Sequence, residues 1–395
     1  VKYRFAFWED YTGYRTGALR AGESAAAGSS DAGTALAAPA EPEAVDIEDG
    51  PITIGSGTYA QGTGEAAPIP EGGLVITGTS DSNTIIVDPG AGKKAAFTID
   101  GLTLSTESGA SLIDVQSGGA EITLSGENAL TGGGAGALIR VSDGQELTIR
   151  GEGSLTLNNG TESTAAHGAA IGGSVSEDGG TINIGSGNIT IVQYGPGAGI
   201  GGGGPGSGFT TGDSGDISIS SGNVEISVTA VDSNGGGCGI GPGMNYKATP
   251  QPDQDGRLEH ITISGGTVEV STTSKHTGYG VYRAGAAIGT GRIGADSDED
   301  GKIHITGTAK VTASADVSAA IGGSSVPSTS GPSGDEYIPS GNVTILIDED
   351  STVKADTLAS QQTAGYGVYG GAAIGKAFLD WLNYEIQIAD NAQVV

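Results

Sequence analysis

Cysteine is all but missing. Cys238 is the only one in 395 residues, so no disulfide framework holds this chain. Methionine occurs once, tryptophan twice, and aromatic residues make up 5% of the chain, with 36% hydrophobic residues in all. That is lean for a broad globular core. Positive charge is also scarce: 17 Lys and Arg face 46 Asp and Glu, a formal net charge of −29. Such a surface repels phosphate backbones, which argues against nucleic acid as a partner. No run of 18 apolar residues occurs, so no membrane span is expected in this fragment, and no basic-then-apolar leader follows Val1. An export signal would therefore lie outside it.

Glycine is abundant, with 74 residues, yet no Gly-X-Y period runs through the chain and collagen is excluded. A short phrase returns instead: GAAIG at 168–172, GAGIG at 197–201, GCGIG at 237–241, GAAIG at 285–289, SAAIG at 318–322 and GAAIG at 371–375. Self-similarity of this kind marks a repeat architecture. Before each copy stand two strands with period-2 apolar spacing, such as Ile182/Ile184 then Ile189/Ile191, or Ile261/Ile263 then Val268/Val270. First strands are expected near Ile52, Leu74, Ala96, Glu121, Glu146, Thr181, Asp216, His260, Lys302, Asn342 and Glu385. Three short strands per turn, with connections of variable length, predict an all-β right-handed parallel β-helix of about eleven turns. At roughly 4.8 Å per turn the rod would be on the order of 50 Å long. A β-propeller is the runner-up, but its aromatic blade signatures are missing.

The ends differ from the array. Residues 1–17 carry Tyr3, Phe5, Phe7, Trp8, Tyr11 and Tyr14, and read as a terminal strand or the end of a preceding domain. Residues 18–50 are Ala, Gly, Ser, Glu and Pro and read as a linker, while 51–395 form the solenoid. The final EIQIADNAQVV stops in a second strand, so the array is expected to continue past Val395.

Read as an alternating strand, the repeat phrase turns its Ile and the small residue two before it inward. Ala170, Gly199, Gly239, Ala287, Ala320 and Ala373 then look outward and make a flat floor. GYGVYRAGAAIG at 278–289 and GYGVYGGAAIG at 365–375 place Tyr279, Tyr282, Tyr366 and Tyr369 on loops beside that floor, with Tyr194 at a comparable offset and His167 at the mouth of a third strand. Aromatic faces along a groove suit sugar rings. The bland alternative is that these tyrosines pack one loop against another. Asp296, Asp298 and Asp300 open like a calcium loop, but residue 307 is Gly where a bidentate acid is needed. A weak Ca²⁺ site and a metal-free acidic hairpin both fit, and calcium is the one cofactor considered. Cys238 stands where its equivalents are Ala and reads as a small buried thiol. The histidines lack metal spacing; His260 and His304 are expected to stack on one face.

The repeat shape over 51–395 resembles the pectin-lyase-like β-helix superfamily. The GAGIGGG-type phrases are similar to Gly-rich, non-catalytic β-helix segments of bacterial surface and carbohydrate-binding proteins. Resemblance to the superfamily's polygalacturonases would imply an Asn-x-Asp, an Asp-Asp pair, a Gly-His-Gly and an Arg-x-Lys, and none of these is present; its lyases would need clustered carboxylates with an Arg base, and only Arg140 and Arg150 fall in regular strands. The resemblance implies a non-catalytic, adhesin-like segment at an extracellular bacterial surface. Its partners would be a polysaccharide or surface glycan, or a host or neighbouring surface protein, held on the loop-walled face. A purely structural stalk is the alternative reading, and a polysaccharide lyase or glycoside hydrolase the second alternative.

Overall fold

A computed structural model describes residues 40–207, 210–231, 235–244, 256–275, 284–291, 301–324, 342–357, 372–375 and 383–395, within a unit spanning Ala40–Val395. The chain coils through three sheets in turn, of eleven, ten and twelve strands; apart from two antiparallel strands on one edge of the third, each strand pairs in parallel with its equivalent one turn on. This is an all-β parallel β-helix. The first sheet runs from Glu43–Asp46 through Leu74–Thr77 and Lys94–Asp100 to Asn383–Ile388. The second runs from Thr79–Ser80 to Gln393–Val394, and the third from Ile52–Ile54 to Ile374–Gly375.

Two boundaries differ from those read in the sequence. Glu43–Asp46 pairs in register with Leu74–Thr77, so the coil begins inside the stretch that composition assigns to the linker. Ile52 belongs to the third sheet, in register with Ile85. The alternation of one short strand cannot say which sheet it joins; only its partner can. The first turn is closed by a 3-10 turn at Ile47–Asp49 and by a hairpin, Thr58–Gln61 and Ala67–Pro68, that pairs antiparallel on the edge of the third sheet. An antiparallel strand laid on that edge stops further parallel pairing.

Isoleucine ladders fill the interior. In the third sheet Ile52, Ile85, Ile113, Ile139, Ile171, Ile200, Ile240, Ile288, Ile321 and Ile374 stand one above another. All but Ile374 are fully buried, each contributing roughly 1.5–3 kcal/mol by leaving water. Asn128, 2% exposed, ties the first two sheets together: its Oδ1 accepts from the Leu102 amide at 2.9 Å, and its Nδ2 donates to the Ser125 and Ser154 carbonyls.

The repeat phrase does not leave an exposed floor. Ala169 and Ala170 are both fully buried, as are Ala286 with Ala287 and Ala319 with Ala320. The outward assignment is inverted: Ala170, Ala287 and Ala320 join the apolar core beside the Ile ladder, and Ala373 packs against it. Alternation fails because only the Ile-Gly pair is strand, as in Ile171–Gly172. Before it the chain bends, and the Ala169 amide donates to the Gly173 carbonyl at 2.9 Å. Ala198 with Gly202, Cys238 with Pro242, Ala286 with Thr290 and Ala319 with Gly323 close the same loop. The small residue sits inside that closure. Burial pushes the Cys238 thiol far up, as expected of an inert one.

The glycine after each Ile is forced by backbone geometry. Gly172, Gly201, Gly241, Gly289 and Gly322 have φ between 128° and 148°. A Cβ on Gly172 would overlap the Gly201 carbonyl oxygen, and one on Gly241 that of Gly289. From Gly172 onward the chain folds back over the third sheet, and these glycine-rich returns stack backbone on backbone.

Candidate binding groove

Turns two to four present a concavity at the corner where the second sheet passes into the third. Its volume is about 830 Å³, with Leu112 and Ala110 among hydroxyl and carboxylate groups. Asp81, Ser82 and Thr84 come from one turn, Ser105 to Ser108 from the next, and Thr131 from the third. Thr106 holds its segment in place: its amide donates to the Thr131 carbonyl at 3.0 Å, and its Oγ1 lies 2.9 Å from Ser108 Oγ. Ser80 Oγ accepts from the Asn83 amide at 2.9 Å and shapes the neighbouring turn. Asp81, Glu107 and Ala110 are exposed and Leu112 is fully buried beneath them, so this is an acidic, hydroxyl-rich groove whose accessible apolar residue is Ala110.

Tyr194 lies further along the same corner, at the end of the strand Asn188–Tyr194 and partly buried. It is in register with Thr229 and Thr273, whose hydroxyls are 3.3 Å apart. Lys275 pairs with Glu162 across several turns; that bond holds its ammonium above the usual range, and Tyr194 is close enough to add to the effect. His167 is adjacent, since the Ala166 amide donates to the Tyr194 carbonyl at 2.6 Å. Its Nδ1 lies 2.6 Å from the Pro205 carbonyl oxygen, which requires the proton on Nδ1, while its backbone bonds Gly134 and Gly204. His167 therefore staples a glycine-rich return to the corner. Tyr279, Tyr282, Tyr366, Tyr369, Asp296, Asp298 and Asp300 lie outside the described residues, as do residues 1–17.

Two charged networks escaped the sequence reading. Arg140 grips Glu177 through Nε at 2.7 Å and a second nitrogen at 3.0 Å, and reaches Asp114 Oδ1 at 3.0 Å. Ser142 Oγ also donates to Glu177. Burial raises the Glu177 pKa, but these bonds outweigh it and the net shift is downward. The triad clamps the first glycine-rich return onto the outer face of the third sheet. Where the third sheet passes into the first, Glu259 stands near Asp213, Asp216, Asp143 and Asp178; its burial, then their charge, pushes its carboxyl up to about 7. Asp213 is part of that corner's bonding, accepting from the Arg257 amide at 2.6 Å. Among the described residues no group of three or more His, Cys, Asp or Glu is placed to hold a metal ion.

His260 and His304 do not stack. His260 is in register with Lys302, and His304 with Thr262, two positions along. Each meets an aspartate, Asp216 at 3.0 Å and Asp348 at 3.2 Å. Some signal for the groove was present in the hydroxyl clusters SDSN at 80–83 and STES at 105–108, which occupy equivalent corners. Nothing in the sequence joined Arg140 to Glu177, 37 residues on. Among the described residues no helix is long and apolar enough to cross a membrane. No family model, curated protein or solved structure matches this chain.

Proposed function

We propose that this chain is a non-catalytic, extracellular segment of a bacterial surface protein that binds carbohydrate along the corner between its second and third sheets. The observation that carries the reading is the groove over Asp81 to Thr131: hydroxyls from three successive turns, with two carboxylates and the exposed Ala110 among them. Sugar hydroxyls need closely spaced donors and acceptors, and sugar rings need a little apolar surface. Tyr194 supplies an aromatic group on the same corner. The repeat shape's likeness to pectin-lyase-like β-helices supports the assignment, and a surface glycan or the glycan of a host protein is the partner it favours.

The test is a polysaccharide pull-down or glycan array with the wild type and with Ser82→Ala/Glu107→Ala. Both residues are exposed, so melting should be unchanged. Retained signal falling at least tenfold in the variant supports the proposal. Absence of any wild-type signal, or equal signal from both, removes it. A structural stalk is the second reading, favoured by the unbroken pairing of all eleven turns. Hydrolysis has one observation behind it, Glu259 pushed up to about 7 beside Asp213 and Asp216. New reducing ends from acidic polysaccharides, lost in Glu259→Gln, would establish it.

A further inference from the structure

Five buried side-chain oxygens among the described residues have no hydrogen-bond partner: Asn159 Oδ1, Gln193 Oε1, Thr272 Oγ1, Ser274 Oγ and Asp316 Oδ1. All lie where the second sheet turns toward the third, and the last three belong together. Thr272 and Ser274 are alternate residues at the end of the strand Thr267–Ser274, so their side chains share one face, and both are buried. Asp316 follows the neighbouring strand Lys310–Ala315, in which Ala315 is in register with Thr272. Its amide donates to the Thr272 carbonyl at 3.2 Å, and its Oδ2 accepts from the Ser274 amide at 2.7 Å. The first bond fixes the Asp316 backbone and the second holds its carboxyl at the strand end.

The exposures are 0% for Thr272, 9% for Ser274 and 8% for Asp316. Two buried hydroxyls on a strand beside a carboxylate would each be expected to find a partner. Neither does so here. Adjoining strand ends bring the three residues to one corner, yet none of these oxygens bonds another, which leaves all three open to a shared small ligand. Burial raises the Asp316 pKa to about 6, so at pH 8 the carboxylate is still charged. Among the described residues no Lys, Arg or His pairs with it. The amides of Ser274, Asp316 and Val317 favour the charged form, but a buried carboxylate without a cationic partner is still costly.

We propose that Asp316, Thr272 and Ser274 bind a monovalent cation, Na⁺ or K⁺, inside the corner between the second and third sheets. One carboxylate matches one positive charge, and hydroxyl and carbonyl oxygens complete the shell. Ca²⁺ takes about six to eight oxygens and usually several carboxylates, which this set does not approach. The surrounding protein, at net −29, concentrates cations near its surface. A water molecule could satisfy the same oxygens, but would give no preference among salts.

Thermal unfolding of the whole chain at pH 8 tests this, in NaCl, KCl or choline chloride at one ionic strength. A ligand that binds only the folded state raises the midpoint in a saturable way. The expected result is a midpoint several degrees higher in NaCl or KCl than in choline chloride, with the difference lost in Asp316→Asn. Should Asp316→Asn fail to fold, Thr272→Val and Ser274→Ala should each reduce the difference. Equal midpoints in the three salts, a difference that survives all of these substitutions, or stabilisation by Ca²⁺ alone would overturn the proposal.

Discussion

Replacing Gly199 by Ala tests the inverted reading of the repeat phrase directly. If the central residue faced outward, the change would add a methyl to a permissive surface position. Gly→Ala at a compatible backbone stabilises by about 0.4–1 kcal/mol, through the unfolded chain. In the fold described here the new Cβ points into the core. It would lie 2.6 Å from Ile226 Cγ2 and 2.6 Å from the Gly239 carbonyl oxygen. Ordinary carbon contacts need about 3.5–4.0 Å, so both neighbours must move. One is backbone inside a stack of hydrogen-bonded turns: the Ile200 amide donates to that Gly239 carbonyl at 2.9 Å. Overpacking of this kind costs about 1–3 kcal/mol. The two readings thus differ in sign as well as size. Urea unfolding followed by circular dichroism would read the change, with Ala170→Gly as the companion that removes a buried methyl. Ala170→Gly should lose about 0.8 kcal/mol for that methyl and about 0.5–1 kcal/mol for glycine's backbone freedom. A Gly199→Ala variant at least as stable as wild type would refute the inward assignment.

Glu259 gives a pH prediction. Its folded pKa of about 7 exceeds the ordinary value of 4.5, so the folded state holds the proton over a range where the unfolded chain releases it. Stability from this group is therefore fully present below the unfolded pKa and is lost as pH rises through the folded one. Glu259→Gln should gain on wild type between pH 4.5 and pH 7 and hold the gain above; thermal midpoints across that range check it, and parallel curves would contradict it. Arg140→Met should destabilise by about 1–3 kcal/mol, because Glu177 and Asp114 lose their shared partner at a half-buried site; amide exchange should quicken first at Ser174, whose amide bonds Glu177. Gly241→Ala, at φ 148° and against the Gly289 carbonyl, should cost more than Gly199→Ala and depress soluble expression.

Much of the fold was legible in local pattern. Ile182/Ile184 and Ile189/Ile191 declare two half-buried strands by spacing alone, and the recurring Ile-Gly declares the period. Four members of the Ile ladder, Ile52, Ile85, Ile113 and Ile139, carried no Gly phrase and were found only through register. The site was less legible. A groove made by Asp81, Thr106 and Thr131 draws one short piece from each of three turns, and no spacing rule links them.

The sequence by itself determined that the chain is a coil of short strands, because period-2 apolar spacing and a repeating turn act over a few residues. Only the backbone showed why glycine follows the isoleucine of the repeat phrase, since φ there is closed to other side chains. Tertiary structure decided which way the middle residue of GAAIG points. Alternation holds only while the backbone is extended, and the bond from Ala169 to Gly173 bends it just before the strand begins. That bend turns an apparent bare face into core and moves the open, polar surface to the neighbouring corner.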